Sequence, residues 1–355
     1  MIGKTEREKL LKEYLEKMSI LSCRFIVRER YEFKDTTEVS KDDFEYRYSR
    51  NPIYTETQVM RYLSYLSYAD KGMLEKAALI YKSKKKIPHV VTNSYEIKKM
   101  VDLLVYLGCV CKRKYVDAGV TAGKPKEYLT LFFLTNLGID IFRGCTESEA
   151  HIESNLIKRK DPEDVMRWLT TNNVMLKIET MCQGREVRFT RKVKMPDPWG
   201  RHAIYGCVED DDMVAVFEPV MYHQITKDPV KAQKRAGFIK AYFEETRKGR
   251  KKILVFIIQD RTEIESVYQG YATVISDSDK VYVTHEALAY DNPGKDVNLA
   301  PFVRISSDAG KVPEVANPPF VLRDEKYTGK RDEEKRCIKE EINPVFDPES
   351  EAWII

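Results

Sequence analysis

The segment from Thr55 to Arg143 changes its hydrophobic period in an order that few folds accommodate. Three runs with helical spacing come first, and the third, from Ser94, places Ile97, Val101 and Leu104 on one face. Two β-prone runs follow, CVCKRKYV and EYLTLFFLT, separated by a Gly/Pro turn rich in lysine. A short helical run closes the segment. The sequence therefore predicts three helices, a basic β-hairpin and a fourth helix.

The boundaries of these helices carry local signals. The second helical run covers residues 73–82, and Thr92 or Ser94 can cap the third. Gly108 is placed to end the third helix, since glycine adopts the left-handed conformation found there. Thr135 is placed to cap the closing helix.

This order of elements resembles that of winged-helix DNA-binding domains. The segment YLTLFFLTNLGIDIF resembles the strand that leaves the wing and the closing helix of many such proteins, in which Leu-Thr-x-x-Gly recurs. We therefore predict a winged-helix domain at residues 55–143, preceded by an N-terminal helix and arm at residues 1–54. The resemblance implies that the third helix enters the major groove and that the hairpin contacts the DNA backbone or minor groove.

The distribution of charge agrees with this function. The whole chain has a formal net charge of +4, yet Lys82 to Lys126 contain eleven Lys/Arg and three Asp/Glu. A positive field on one module is typical of a phosphate-binding surface. The alternative is a protein-interaction winged helix with ordinary solvated lysines. The candidate DNA-binding residues are Asn93, Ser94, Tyr95, Lys98 and Lys99 at the third helix, and Lys112, Arg113, Lys114, Lys124 and Lys126 in the hairpin.

The second half of the chain predicts another domain. After a connector at residues 144–161, the patterns run α-β-β-β-α-β over residues 162–300, with Pro162 at the first helical position. The run KILVFIIQD is almost wholly apolar, which indicates a central strand. Residues 301–355 are rich in proline and charge and predict an extended tail. The predicted class is α+β or α/β, with a winged helix followed by this second domain.

The second domain resembles the core of the PD-(D/E)xK nuclease-like fold. In active members two carboxylates hold Mg²⁺, and a lysine two residues past the second carboxylate stabilises the developing charge. The matching candidates here are Asp197 or Asp212, with Asp210 and Asp211 beside the latter, for the first carboxylate and Glu218 for the second. This chain has Val220 at the position of that lysine. We therefore expect no catalytic site and no bound metal in this domain. The alternative is a nuclease or nickase that uses Mg²⁺.

A winged helix followed by a degenerate nuclease-like domain resembles the replication-relaxation family of bacterial mobile elements. The resemblance implies a non-catalytic, sequence-specific protein that binds double-stranded DNA in replication, relaxation, transfer or transcription control of a plasmid, phage or integrative element. A ligand-sensing repressor is a further alternative function. The sequence does not decide whether the chain forms a homodimer.

The cysteines and the apolar runs of the sequence bear on its cellular location. The seven cysteines are scattered and form no pattern of zinc ligands, which favours free thiols in a reducing cytoplasm. No run of about 18 apolar residues is present, so the sequence predicts no membrane span. We expect a cytoplasmic protein without a cofactor.

Overall fold

The chain forms two compact units in a computed structural model. The large unit takes the described residues of Met1–Ile26 and Met166–Glu341, and the small unit those of Val27–Val165 and Ile342–Ile355. None of the described helices is long and apolar enough to cross a bilayer. The structure describes residues 4–35, 54–85, 94–119, 126–146, 162–181, 188–194, 203–246, 249–289, 302–306, 313–316, 318–319, 345–347 and 352–354.

Both helices and strands occur in each unit, so the class is mixed α and β, as predicted. The helices are α1 (Lys4–Lys17), α2 (Tyr54–Leu66), α3 (Lys71–Lys85), α4 (Ser94–Tyr106), α5 (Asn136–Thr146), α6 (Pro162–Met181), α7 (Gln224–Lys227), α8 (Pro229–Thr246), α9 (Glu263–Gly270) and α10 (Ala272–Asp277). The strands are β1 (Tyr31–Asp35), β2 (Val110–Asp117), β3 (Glu127–Leu134), β4 (Arg188–Lys194), β5 (Ala203–Glu209), β6 (Met213–Val220), β7 (Lys251–Ile258), β8 (Lys280–His285), β9 (Val303–Ile305), β10 (Glu314–Val315), β11 (Val345–Asp347) and β12 (Ala352–Ile354).

The small unit places α2, α3 and α4 beside an antiparallel sheet of order β1-β2-β3. Between α2 and α3, Ala69 forms an antiparallel bridge with Phe132 of β3. Each of these two residues donates its N–H to the carbonyl of the other, at 3.1 and 2.8 Å. The hairpin is therefore hydrogen-bonded to the connection between the first two helices.

The predicted cap of α5 is confirmed and has a second role. Thr135 Oγ1 accepts the N–H of Gly138 at 3.1 Å, as a helix cap does, and donates to the Gly108 carbonyl at 2.6 Å. A Cβ on Gly138 would lie 2.0 Å from the Cys109 carbonyl oxygen. Gly108 itself has φ 76°, in the left-handed region expected at the end of α4. The Leu-Thr-x-x-Gly sequence thus joins α5 closely to the start of β2.

The large unit is built on a seven-stranded sheet of order β10-β9-β8-β7-β6-β5-β4. Strands β6, β7 and β8 are parallel, and the outer strands on both sides are antiparallel. The β6–β7 connection contains α7 and α8, because parallel neighbours need a long crossover. Strands β4 to β6, α8 and β7 occur in the order that the sequence predicted.

Apolar cores cover both faces of this sheet. On β7, Leu254, Phe256 and Ile258 belong to the core that contains α8, α9 and α10. The alternate residues of the same strand, with Ile253 as the first, belong to the core that contains α6. This two-sided burial explains why β7 is an unbroken apolar run.

The unit boundaries differ from the predicted domains. Helix α1 packs on the large unit, where Met18 is fully buried in the core with Leu11 and Leu15 beside it. Strand β1 pairs with β2 in the small unit, so residues 1–54 do not form one separate arm. Strands β9 and β10 extend the large sheet into the region predicted as an extended tail. These positions depend on contacts distant in sequence, which local patterns do not encode.

Candidate functional site

The outer face of α4 carries the exposed residues predicted to contact DNA. Tyr95 is 72% exposed, and Lys98 and Lys99 are also exposed. On the opposite side, Ile97 and Val101 are buried. This amphipathic arrangement fixes which side of the helix can contact a partner. Ser94 begins α4, whereas Asn93 lies outside the described residues.

The hairpin presents its lysines in a less uniform way. Lys126 is exposed, Lys112 is half-buried, and Lys124 lies outside the described residues. The Lys114 ammonium lies 2.6 Å from a carboxylate oxygen of Glu127 on the neighbouring strand, and this hydrogen bond lowers the pKa of Glu127. Of the described hairpin lysines, Lys114 therefore has its charge offset by an adjacent carboxylate.

Arg113, predicted to contact DNA, is instead an interior residue, and this corrects the prediction. Its side chain is 4% exposed, its Nε lies 2.5 Å from Asp35 Oδ1, and its guanidinium lies over the Phe133 ring. Burial alone would lower the pKa of Arg113, but the hydrogen bond and charge of Asp35 raise it above its ordinary value. The alternation of β2 contained this signal, because Arg113 shares the face of Cys111 and Tyr115, both buried.

Glu218, the predicted second metal ligand, lies fully buried in an ion pair. Arg235 of α8 donates to both carboxylate oxygens, from Nε to Oε1 at 3.0 Å and from Nη2 to Oε2 at 2.5 Å. The Tyr271 hydroxyl donates to Oε1 at 3.0 Å, and Arg167 Nη1 lies 3.9 Å from the same oxygen. Burial opposes the charged form of Arg235, but Glu218 raises the pKa of that guanidinium. A metal ion could reach this carboxylate only by displacing Arg235.

Asp212, a described candidate for the first carboxylate, does not join Glu218. Asp212 is exposed in the turn before β6, where its N–H donates to Asp210 at 3.0 Å. Six residues of extended strand separate Asp212 from Glu218, which corresponds to roughly 20 Å between their Cα atoms. One Mg²⁺ requires oxygens at about 2.1 Å, so the two carboxylates cannot share an ion. Asp197 lies outside the described residues, and the described residues contain no group of three metal-ligating side chains.

A thiol and an imidazole also meet in the large unit, where Cys23 Sγ lies 3.3 Å from His285 Nε2. His285 Nδ1 accepts the N–H of Ala287 at 2.9 Å, so the ring proton lies on Nε2, which donates to the Gln259 carbonyl at 2.9 Å. Nε2 therefore cannot take the thiol proton. Burial, followed by the charge of Glu286, raises the pKa of the Cys23 thiol. This pair lacks the thiolate that nucleophilic catalysis requires.

Sequence patterns did not identify the partners of Glu218. Arg235 lies 17 residues beyond Glu218 and Tyr271 lies 53 residues beyond it. At the position where active nuclease-like proteins carry the lysine, this chain has Val220. A comparison of the chain with protein-family models, curated proteins and solved structures finds no match in any of the three.

Proposed function

We propose that this chain is a non-catalytic protein that binds double-stranded DNA through α4, in a winged-helix arrangement of the small unit. The observation that carries the proposal is the exposed face of the first two turns of α4, where Tyr95, Lys98 and Lys99 point away from the buried side of the helix. Two adjacent cations and an exposed aromatic ring are suited to phosphate and groove contacts.

The hairpin supports the same proposal. Its bridge to Ala69 fixes it to the connection between α2 and α3, and β1 pairs with its first strand. Lys112 and Lys126 would then contact the DNA backbone, while Arg113 stabilises the sheet from within. The part of the proposal that concerns replication, relaxation or transfer of a mobile element rests on the family resemblance of the sequence.

Salt-dependent binding tests the proposal. Each lysine that neutralises a phosphate contributes about 0.9 to the slope of log affinity against log salt concentration. The double variant Lys98→Ala and Lys99→Ala is expected to lower that slope by about 1.8 and to weaken binding to all duplexes alike. Asn93→Ala is expected to alter the preference among sequences instead.

A matched control has the same loss of charge on another helix. Lys9 and Lys12 are exposed on α1 of the large unit, and their replacement by alanine is expected to leave the slope nearly unchanged. Mobility-shift titrations at several salt concentrations make the comparison. Equal effects of the two double variants would contradict a specific role for α4.

The nuclease alternative is tested separately. Because Arg235 occupies both oxygens of Glu218, we expect no plasmid cleavage that depends on this carboxylate. Supercoiled plasmid is incubated with Mg²⁺ or Mn²⁺ and either the unmodified chain or the Glu218→Gln variant, and cleavage by the two proteins is compared. Cleavage by the unmodified chain that the variant abolishes would establish the nuclease function in place of the one proposed.

A further inference from the structure

Two aromatic side chains form an exposed, tilted stack on the large unit, with an angle of 38° between the ring planes. Tyr222 and His223 follow the carboxyl end of β6, and their ring centroids lie 3.8 Å apart. Tyr222 is 38% exposed, and the His223 side chain is 50% exposed. Ligands of open parallel sheets bind beyond the carboxyl ends of the strands, which is where this stack lies.

The backbone beneath the stack is held by buried side chains. The N–H of Tyr222 donates to Gln259 Oε1 at 3.0 Å, and the N–H of His223 donates to Glu263 Oε1 at 2.9 Å. Gln259 and Glu263 are 1% and 2% exposed. His223 has φ 57°, a conformation uncommon for residues other than glycine. The two rings are thus kept at the surface by a rigid support.

Exposed lysines follow this stack along the chain. Lys227 at the end of α7 and Lys231 and Lys234 on α8 are exposed. Between residues 222 and 240 the sequence has one acidic residue, Asp228, whose carboxylate accepts the N–H of Lys231 at 2.9 Å. Arg235 points inward to Glu218 and adds no charge to the surface. The exposed charge of this segment is therefore positive. The Glu263 carboxylate, which lies 3.8 Å from His223 Nδ1, is buried.

We propose that Tyr222, His223, Lys227, Lys231 and Lys234 form a surface that binds single-stranded nucleic acid. Aromatic faces stack on bases of any sequence, and nearby lysines neutralise the phosphates. A single strand fits this chemistry better than a duplex, because paired bases keep their faces inside the helix. The surface shares no residue with the α4 face, so it does not depend on the proposed duplex binding.

Fluorescence anisotropy with labelled oligothymidylate tests the surface in the full chain. Tyr222→Ala is expected to weaken binding about tenfold, as the loss of one stacked base does. Tyr222→Phe, which keeps the ring, is expected to bind as the unmodified chain does. Lys231→Ala combined with Lys234→Ala should lower the salt slope by about 1.4, at about 0.7 per phosphate of a single strand.

A second variant and two controls keep the outcome decisive. His223→Asn removes a ring while tolerating the left-handed backbone, so weaker binding by this variant supports the proposal without a change in folding. Lys98→Ala with Lys99→Ala should alter duplex binding alone. Undiminished binding of oligothymidylate by both ring variants overturns the proposal. Binding to phosphatidylserine vesicles with none to oligothymidylate overturns it as well, and identifies the surface as a membrane contact.

Discussion

Replacement of Arg235 by methionine should destabilise the large unit strongly. Glu218 is fully buried, and Arg235 supplies two of its hydrogen bonds. Without them the carboxylate keeps the Tyr271 hydroxyl and an Arg167 nitrogen at 3.9 Å. Removal of one partner of a buried ion pair typically costs 3–5 kcal/mol. We expect about 3 kcal/mol here, since Arg167 still offsets part of the charge.

Urea unfolding followed by tryptophan fluorescence measures this loss, since Trp168 is buried against Tyr205 in the same unit. The double variant Arg235→Met with Glu218→Gln removes the unpaired charge and should recover about 1–2 kcal/mol, a coupling typical of residues in contact. Lys234→Met, an exposed neighbour, should change the free energy of unfolding by less than about 0.5 kcal/mol.

Two results would refute this reasoning. A loss below about 1 kcal/mol for Arg235→Met would show that the ion pair is not formed as described. A double variant no more stable than the single one would show the same. If Glu218 were instead a metal ligand, Mg²⁺ would raise the stability of the unmodified chain by mass action, and we expect no such effect from this carboxylate.

Two further predictions concern the small unit and the pH dependence of stability. Gly138→Ala places a Cβ 2.0 Å from the Cys109 carbonyl oxygen and should lower the stability measured by thermal unfolding by about 1–3 kcal/mol. Gly144→Ala on the same helix places a Cβ that meets nothing within 4 Å, and it should raise the stability by up to about 1 kcal/mol. Equal effects of the two variants would contradict the close contact at Gly138. Burial lowers the pKa of His285, so the unfolded chain takes up a proton first and stability should fall as pH decreases below about 6.5. The stability of the His285→Gln variant, measured by urea unfolding at several pH values, should not show this part of the dependence on pH. An unchanged dependence on pH would refute the assignment to His285.

Local signals predicted much of the secondary structure. Thr135 caps α5 and Gly108 ends α4, because both roles depend on conformations that a few neighbouring residues determine. The apolar run of β7 likewise indicated a strand covered on both faces. In each case the cause of the structure lies within the segment that forms it.

Long-range partners could not be predicted in the same way. Arg235 occurs in a basic stretch of α8 whose lysines, Lys231 and Lys234, are exposed, and nothing near it in sequence indicates a buried carboxylate. Arg113 lies in a lysine-rich strand, and its partner Asp35 is 78 residues away. The prediction made Arg113 a DNA contact because a count of basic residues does not show which face of the strand is buried.

The distribution of the large unit along the chain has a consequence for folding during synthesis. Helix α1 is synthesised before residues 27–165 of the small unit, and the strands on which Met18 is buried are synthesised after those residues. The apolar side of α1 therefore remains uncovered by those strands while residues 27–165 are synthesised. A fragment that starts at residue 162 would lack α1 altogether and expose apolar surface in the large unit. A fragment that joins residues 1–26 to residue 166 by a linker would retain it.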